Sequence, residues 1–165
     1  MFDKLKQIFG SQQGGGIVVF APLEGECVPI TEVNDPTFSQ GMLGDGVAIK
    51  PSGGRVLAPM DGTLMVMFPT GHAASVVSDD GAEVLIHVGL DTVKLKGDHF
   101  SVRAKQGDRV KKGDLLLEFD REALAAAGYD TITPIVITNA GDYAKMDKLT
   151  GKQVHELDEI IRLHK

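Results

Sequence analysis

Two histidines, His72 and His87, stand in the stretch Thr70 to Thr92, which has the pattern of a β-hairpin. Residues 73–78 and 82–88 are runs of β-forming side chains, and Ser78-Asp79-Asp80-Gly81 between them is turn chemistry. With Asp79-Asp80 as the two loop residues, His72 lies directly opposite His87. With Asp80-Gly81 as the loop, His87 faces Ala74 and His72 is its diagonal neighbour. Direct and diagonal cross-strand neighbours stand roughly 5 and 7–8 Å apart. Only a three-residue loop puts the two rings on opposite faces, so two of the three simple registers build a histidine pair. Within Glu83–Val88, the residues Val84, Ile86 and Val88 alternate onto one face, the expected core face. Glu83, Leu85 and His87 share the other. Gly89, two residues on, leaves open backbone beside the second ring.

A pair of imidazoles supports two chemistries. Joined by Asp91 or Glu83 it could hold zinc, although two ligands are few and no His-x-His or His-Glu-x-x-His spacing is present. Alternatively, one ring is a nucleophile for phosphoryl transfer, because an imidazole with a pKa near 6.5 is largely unprotonated at neutral pH. The second ring, and a hydroxyl such as Thr70, would then donate hydrogen bonds to phosphoryl oxygens, which is the positioning and charge stabilisation this reaction mainly needs. The plain alternative is two unrelated histidines, one on a surface strand and one in a turn.

Whatever positions these residues is a β scaffold. From Ile17 onward, short strands are broken by Gly and Pro, which predicts a mainly antiparallel all-β sandwich or barrel-sandwich hybrid. An internal repeat supports this: Ala21-Pro22-Leu23-Glu24-Gly25-Glu26-Cys27-Val28 matches Ala58-Pro59-Met60-Asp61-Gly62-Thr63-Leu64-Met65. Val102 to Asp114, with Gly107-Asp108 and Gly113-Asp114, is a further strand–turn–strand unit leading into Leu115–Phe119. One helix is predicted, N-capped by Asp120, running over Arg121–Ala127 and closed by Gly128. Asp130–Thr138 reads as a strand whose Pro134 suggests an edge or a bulge. Glu156–Lys165 has a helical face in Leu157, Ile160, Ile161 and His164, and reads equally as a closing strand.

The chain has 165 residues, 42% of them hydrophobic, and a formal charge of −6 from 17 basic and 23 acidic residues. These values fit one folded domain and argue against nucleic acid as a partner, since the basic residues form no cluster. The single cysteine, Cys27, allows no internal disulfide, which suits a reducing cytosol, and reads as a small core residue. No window approaches the roughly 20 apolar residues that span a bilayer, and no secretory leader is apparent. Residues 1–9 place Phe2, Leu5, Ile8 and Phe9 on one helical face, and Gly10–Gly16 forms a flexible linker. We therefore divide the chain into a segment 1–16, able to touch a membrane surface or partner, and a domain 17–165.

The motifs also carry a resemblance. Gly44-Asp-Gly-Val-Ala-Ile-Lys-Pro51, Ala58-Pro-Met-Asp-Gly62, Thr70-Gly-His-Ala73, Leu85-Ile-His-Val-Gly-Leu-Asp-Thr-Val93, Lys96-Gly97, Gly107–Asp114 and Thr133-Pro-Ile-Val-Ile137 resemble the glucose-class enzyme IIA of the bacterial phosphoenolpyruvate-dependent sugar phosphotransferase system. The likeness runs from about residue 17 to about 140. It implies that His87 is phosphorylated, that His72 is the second active-site histidine stabilising the phosphoryl group, and that Thr70 orients the pair. Asp35 and Asp91 match acidic residues that receive a partner's arginine, and Phe38, Phe68 and Val93 fall on an apolar docking rim. The implied partners are HPr as donor and a cysteine of a membrane transporter's enzyme IIB domain as acceptor, with no cofactor required. Regulation of other proteins by the unphosphorylated form is a further implication. By the same likeness the tail closes as a strand, and residues 1–9 resemble an amphipathic segment that brings a cytoplasmic protein to the inner membrane face. Gly71 departs from the larger polar residue of some relatives. Lysostaphin-type zinc peptidases share a related fold, but Gly89 stands where they carry the second His of a His-x-His. The alternative function is a zinc-dependent hydrolase or zinc-mediated binding module using His72 and His87. His99, His155 and His164 fall outside the motifs and read as solvated.

Overall fold

The computed structural model describes residues 16–165. The amphipathic reading of residues 1–9 and the linker that follows lie outside the described residues. Among the described residues fourteen strands are formed: β1 (Ile17–Phe20), β2 (Gly25–Pro29), β3 (Asp45–Pro51), β4 (Arg55–Leu57), β5 (Gly62–Met67), β6 (Ala73–Ser78), β7 (Glu83–His87), β8 (Phe100–Val102), β9 (Arg109–Val110), β10 (Leu115–Phe119), β11 (Thr133–Ile137), β12 (Lys145–Lys148), β13 (Lys152–Val154) and β14 (Glu159–His164). They pair antiparallel throughout, in an eight-stranded sheet of order β13-β2-β3-β11-β7-β6-β5-β9 and two three-stranded sheets, β1-β14-β12 and β4-β10-β8. Among the described residues two short α-helices, α1 (Pro36–Ser39) and α2 (Arg121–Ala126), and three 3-10 turns join these strands.

The Ala-Pro repeat seen in the sequence is the visible part of a two-fold pattern. Phe20 N–H donates to the Pro59 carbonyl and Leu57 N–H to the Pro22 carbonyl, so the two copies bond each other reciprocally. The correspondence continues beyond any recognisable identity. Ala21 exchanges bonds with Asp158 and Leu157 as Ala58 does with Asp114 and Gly113, and Gly151 donates to Cys27 as Gly107 does to Leu64. The halves meet where β11 pairs β7, at Ile135 opposite Ile86. Leu157 occupies the left-handed region (φ 70°) where its counterpart Gly113 (φ 95°) does so without a Cβ penalty.

Alternation along the strands builds two cores, one on each face of the large sheet. Val84 and Ile86 of β7, Ile135 and Ile137 of β11, and Leu64 and Val76 face the small sheets and meet Leu116, Leu117, Ile160 and Ile161. Each such fully buried aliphatic side chain contributes roughly 1.5–3 kcal/mol. On the other face Val28, Ile30, Val33, Phe38, Ala48, Leu90, Ile132 and Val136 form a smaller cluster beneath α1. That second cluster is the floor of the site. Cys27 is fully buried, and burial pushes its thiol up to about 11, as expected for an inert core residue.

α2 forms where predicted: the Asp120 carboxylate accepts the Ala123 N–H at 3.0 Å, and Gly128 takes a left-handed φ of 92°. The helical reading of the tail is wrong, because β14 pairs β1 on one side and β12 on the other and buries Ile160, Ile161 and Leu163. Pro134 does not mark an edge strand, since β11 lies in the middle of the large sheet. Its pairing with β7 stops at Ile135, so on that side Thr133 and Pro134 have no ladder partner, while both still pair β3. His99 and His155 are exposed as expected, whereas His164 is half-buried and its Nε2 lies 2.8 Å from Asp147 Oδ2.

Candidate functional site

The β6–β7 hairpin takes the third register, the one with a three-residue loop. Ala73 pairs His87 and Val77 pairs Glu83; Ser78 N–H bonds the Ala82 carbonyl, leaving a three-residue loop of Asp79, Asp80 and Gly81. By simple alternation the two histidines should then lie on opposite faces. They do not: their ring centroids are 5.2 Å apart and the rings are nearly perpendicular, at 80°. Alternation holds only inside a strand, and His72 precedes β6. Gly71, at φ 75°, turns the backbone before it, while Val88 N–H holds the His72 carbonyl at 2.7 Å. Gly71 also fits tightly, since a Cβ there would come within 3.1 Å of both Phe100 and Val102. On β7 the alternation itself is as expected, with Val84 and Ile86 buried and Glu83, Leu85 and His87 on the outer face.

Each ring has one nitrogen engaged and one left over. His87 Nδ1 lies 2.8 Å from the Gly89 carbonyl. A carbonyl only accepts, so Nδ1 carries the proton and Nε2 of the neutral ring keeps a free lone pair. His72 Nδ1 lies 2.6 Å from Thr70 Oγ1. If the hydroxyl donates, His72 Nε2 bears a proton that it can offer to a neighbouring oxygen. His72 is 3% exposed, and burial first, then the adjacent His87, pulls its pKa down to about 4. Burial also lowers His87, opposed by the Gly89 carbonyl and by the charges of Asp35 and Asp91. Both rings therefore favour the neutral form at physiological pH.

This carries a stability consequence. Between pH 6.5 and pH 4 the unfolded chain binds a proton at residue 72 that the native fold refuses. Native stability therefore falls as pH drops through that window and levels off below it. The effect is on the order of 2–3 kcal/mol for His72 alone. Chemical denaturation of wild type and His72→Gln between pH 7 and pH 4 checks it: the difference between the two curves should carry this slope.

The surroundings are mixed. Phe68, 40% exposed, stands edge-on to His72 with centroids 5.0 Å apart, and Val93 is 51% exposed on the turn Thr92–Leu95. Phe38 differs from the rim position expected of it. It is buried in the lower cluster, with its ring 5.2 Å from that of His87, so it supports the ring more than it meets solvent. Met42, Leu43 and Val102 are exposed apolar residues that the sequence reading missed. Met42 and Leu43 lie in the loop that follows α1, the helix carrying Phe38, and Val102 adjoins Gly71. Asp35 accepts the Thr37 N–H at 3.0 Å, capping α1, and Asp91 sits at a left-handed φ of 60°. Both line one open groove of about 590 Å³, together with Lys94, Tyr129 and Asp130, which the sequence reading did not select.

Residues 17–143 match the family model described as phosphoenolpyruvate-dependent sugar phosphotransferase system, EIIA 1. The chain belongs to this EIIA family. It is 51% identical over 136 residues to the PTS system beta-glucoside-specific EIIBCA component of Dickeya chrysanthemi, covering 82% of this chain and 22% of that protein. It is 46% identical over 140 residues to the component of the same name from Bacillus subtilis (strain 168), covering 82% and 23%. The EIIA chain thus spans about a fifth of the length of these relatives. Among solved structures it resembles the glucose permease IIA from Mycoplasma capricolum, at 35% identity and a TM-score of 0.84, covering 89% of this chain and 95% of that one. That likeness agrees with the expected β-sandwich class.

Zinc finds little support in this EIIA fold. Among the described residues no group of three His, Cys, Asp or Glu side chains is placed to hold a metal ion. Glu83, one of the two carboxylates considered, lies at the far end of β7 and accepts from Thr138 instead. No described helix is long and apolar enough to cross a membrane.

Proposed function

We propose that residues 17–165 form a phosphoryl carrier domain that takes phosphate from the phosphohistidine of HPr on His87. It then passes the phosphate to a cysteine of an enzyme IIB domain, so driving sugar uptake with phosphorylation. The observation that carries this reading is the pinned tautomer of His87: Nδ1 held by the Gly89 carbonyl and Nε2 free beside His72. The Nε2 lone pair attacks phosphorus, the P–N bond of the donor breaks, and its electron pair returns to the donor imidazole. His87 then carries phosphate on Nε2 and a proton on Nδ1, so it later departs as a neutral imidazole when a thiolate attacks. Transfer of this kind depends on alignment and on withdrawal of phosphoryl charge more than on covalent help. His72 supplies the withdrawal through its Nε2–H, oriented by Thr70.

The Asp35/Asp91 groove suits an arginine from the incoming partner, and Phe68 and Val93, with Met42, Leu43 and Val102, are exposed apolar side chains that a partner would cover. Names that join B, C and A in one component support an enzyme IIB partner, here on a separate chain or on a part of the protein beyond this sequence. The absence of a membrane-crossing helix among the described residues is compatible with a cytoplasmic carrier working at the inner face of the membrane. Segment 1–16 would tether it there. A regulatory role for the unphosphorylated form would use the same face. The test is incubation with enzyme I, HPr and radiolabelled phosphoenolpyruvate: we expect stoichiometric acid-labile label on the wild-type chain. No label, with HPr itself labelled, would sink the carrier reading.

A further inference from the structure

We propose that Thr92 is a positioning residue for His87, acting through the backbone of Gly89. The inference rests on the carrier reading for its kinetic arm only. Thr92 is fully buried, and with Thr133 is one of two polar side chains at 0% exposure among the described residues. Its hydroxyl donates to the Val88 carbonyl at 2.5 Å. The Val88 N–H in turn holds the His72 carbonyl, so one residue ties the Thr92 turn to the second histidine.

The geometry around Gly89 gives this bond its purpose. The peptide unit joining Gly89 to Leu90 is held at both ends: its carbonyl receives His87 Nδ1–H, and its N–H donates to the Asp130 carbonyl at 3.0 Å. The preceding unit, joining Val88 to Gly89, is held at its carbonyl by Thr92. Between these two planes lies a glycine at φ 75°, a conformation it adopts freely and also leaves freely. No side chain can lock it, because a Cβ on Gly89 would meet Thr92 Cγ2 at 2.7 Å and the Asp130 oxygen at 3.0 Å. Thr92 therefore replaces the missing local restraint. Its methyl closes the space and its hydroxyl fixes the plane from which the Gly89 carbonyl is aimed.

The experiment is ¹⁵N NMR of the His87 ring in the unphosphorylated protein at neutral pH, with phosphoryl acceptance from phospho-HPr measured beside it. In wild type the Nδ1–H tautomer should dominate. In Thr92→Val, which keeps the shape and removes the donor, the neutral ring should become a mixture of tautomers and acceptance should slow roughly tenfold. Thr92→Ser, which restores the donor, should return the tautomer and bring acceptance to within about twofold of wild type. Thr92→Ala is read in the same way should the valine variant not fold. A folded Thr92→Val or Thr92→Ala with the wild-type tautomer overturns the proposal, as does a serine variant that behaves like valine. A wild-type chain that takes no phosphate while the tautomer responds to Thr92 would overturn the carrier reading and leave this inference standing.

Discussion

His87→Ala should carry no transferable phosphate: labelling by phospho-HPr should fall by at least on the order of 10³-fold, to background. The neighbouring ring is no substitute. His72 is as close to the site as His87, but it is 3% exposed and its Nδ1 is committed to Thr70. Its remaining nitrogen is the one that must bear a proton if the hydroxyl donates, so it has no lone pair to offer. The loss should not come from unfolding. His87 lies on the outer face of β7, and its removal leaves Val84, Ile86 and the rest of the larger core untouched. Denaturation of the variant should therefore differ from wild type by no more than about 1–2 kcal/mol. Label on His87→Ala at more than a few per cent of wild type would move the nucleophile elsewhere.

The faces of β7 were readable because period two is a strong local signal: Val84 and Ile86 went in, and His87 stayed out. The meeting of His72 with His87 was not readable by that route. Strand registers favoured the pair for a reason the fold does not use, since the loop has three residues and His72 lies outside the ladder. What joins the rings is the left-handed turn at Gly71 and the Val88–His72 bond, and neither leaves a periodic trace. Motif resemblance brought the two rings together by another route, because it carries the tertiary outcome with it. The Ala-Pro repeat showed eight residues of a symmetry that organises all three sheets. The rest is hidden because backbone bonds such as Gly151 to Cys27 and Gly107 to Leu64 need no shared side chains. Leu157 shows how far the copies have diverged, standing in left-handed backbone where Gly113 is the cheaper choice. The resemblance implies a rim position for Phe38 and says nothing of how deeply its ring is buried. The second core beneath α1 depends on packing between β2, β3, β11 and the loops above them, which no local window reports.

His72→Gln should separate the two halves of the transfer. On the carrier reading, acceptance from HPr would pass phosphate between two imidazoles: the attacking ring is neutral, and little charge must be withdrawn for it to approach. Donation to enzyme IIB brings an anionic thiolate against a dianionic phosphoryl group, and that encounter needs a donor to draw charge away. In the free protein His72 is neutral, held near pKa 4 by burial and by its neighbour. A phosphoryl group on His87 adds two negative charges beside it, which favours the protonated ring and moves its pKa upward. On the carrier reading, phosphorylation shifts His72 toward the cation that would serve the second step, and dephosphorylation reverses the shift. A glutamine keeps an N–H donor but cannot take up that charge. We expect acceptance by His72→Gln to stay within about tenfold of wild type and transfer to enzyme IIB to fall roughly 10²–10³-fold. Single-turnover measurement of the two steps, with the variant pre-labelled for the second, gives each number independently. Equal losses in both steps would mean that His72 merely shapes the pocket, and its response to phosphoryl charge would then have no part in the transfer.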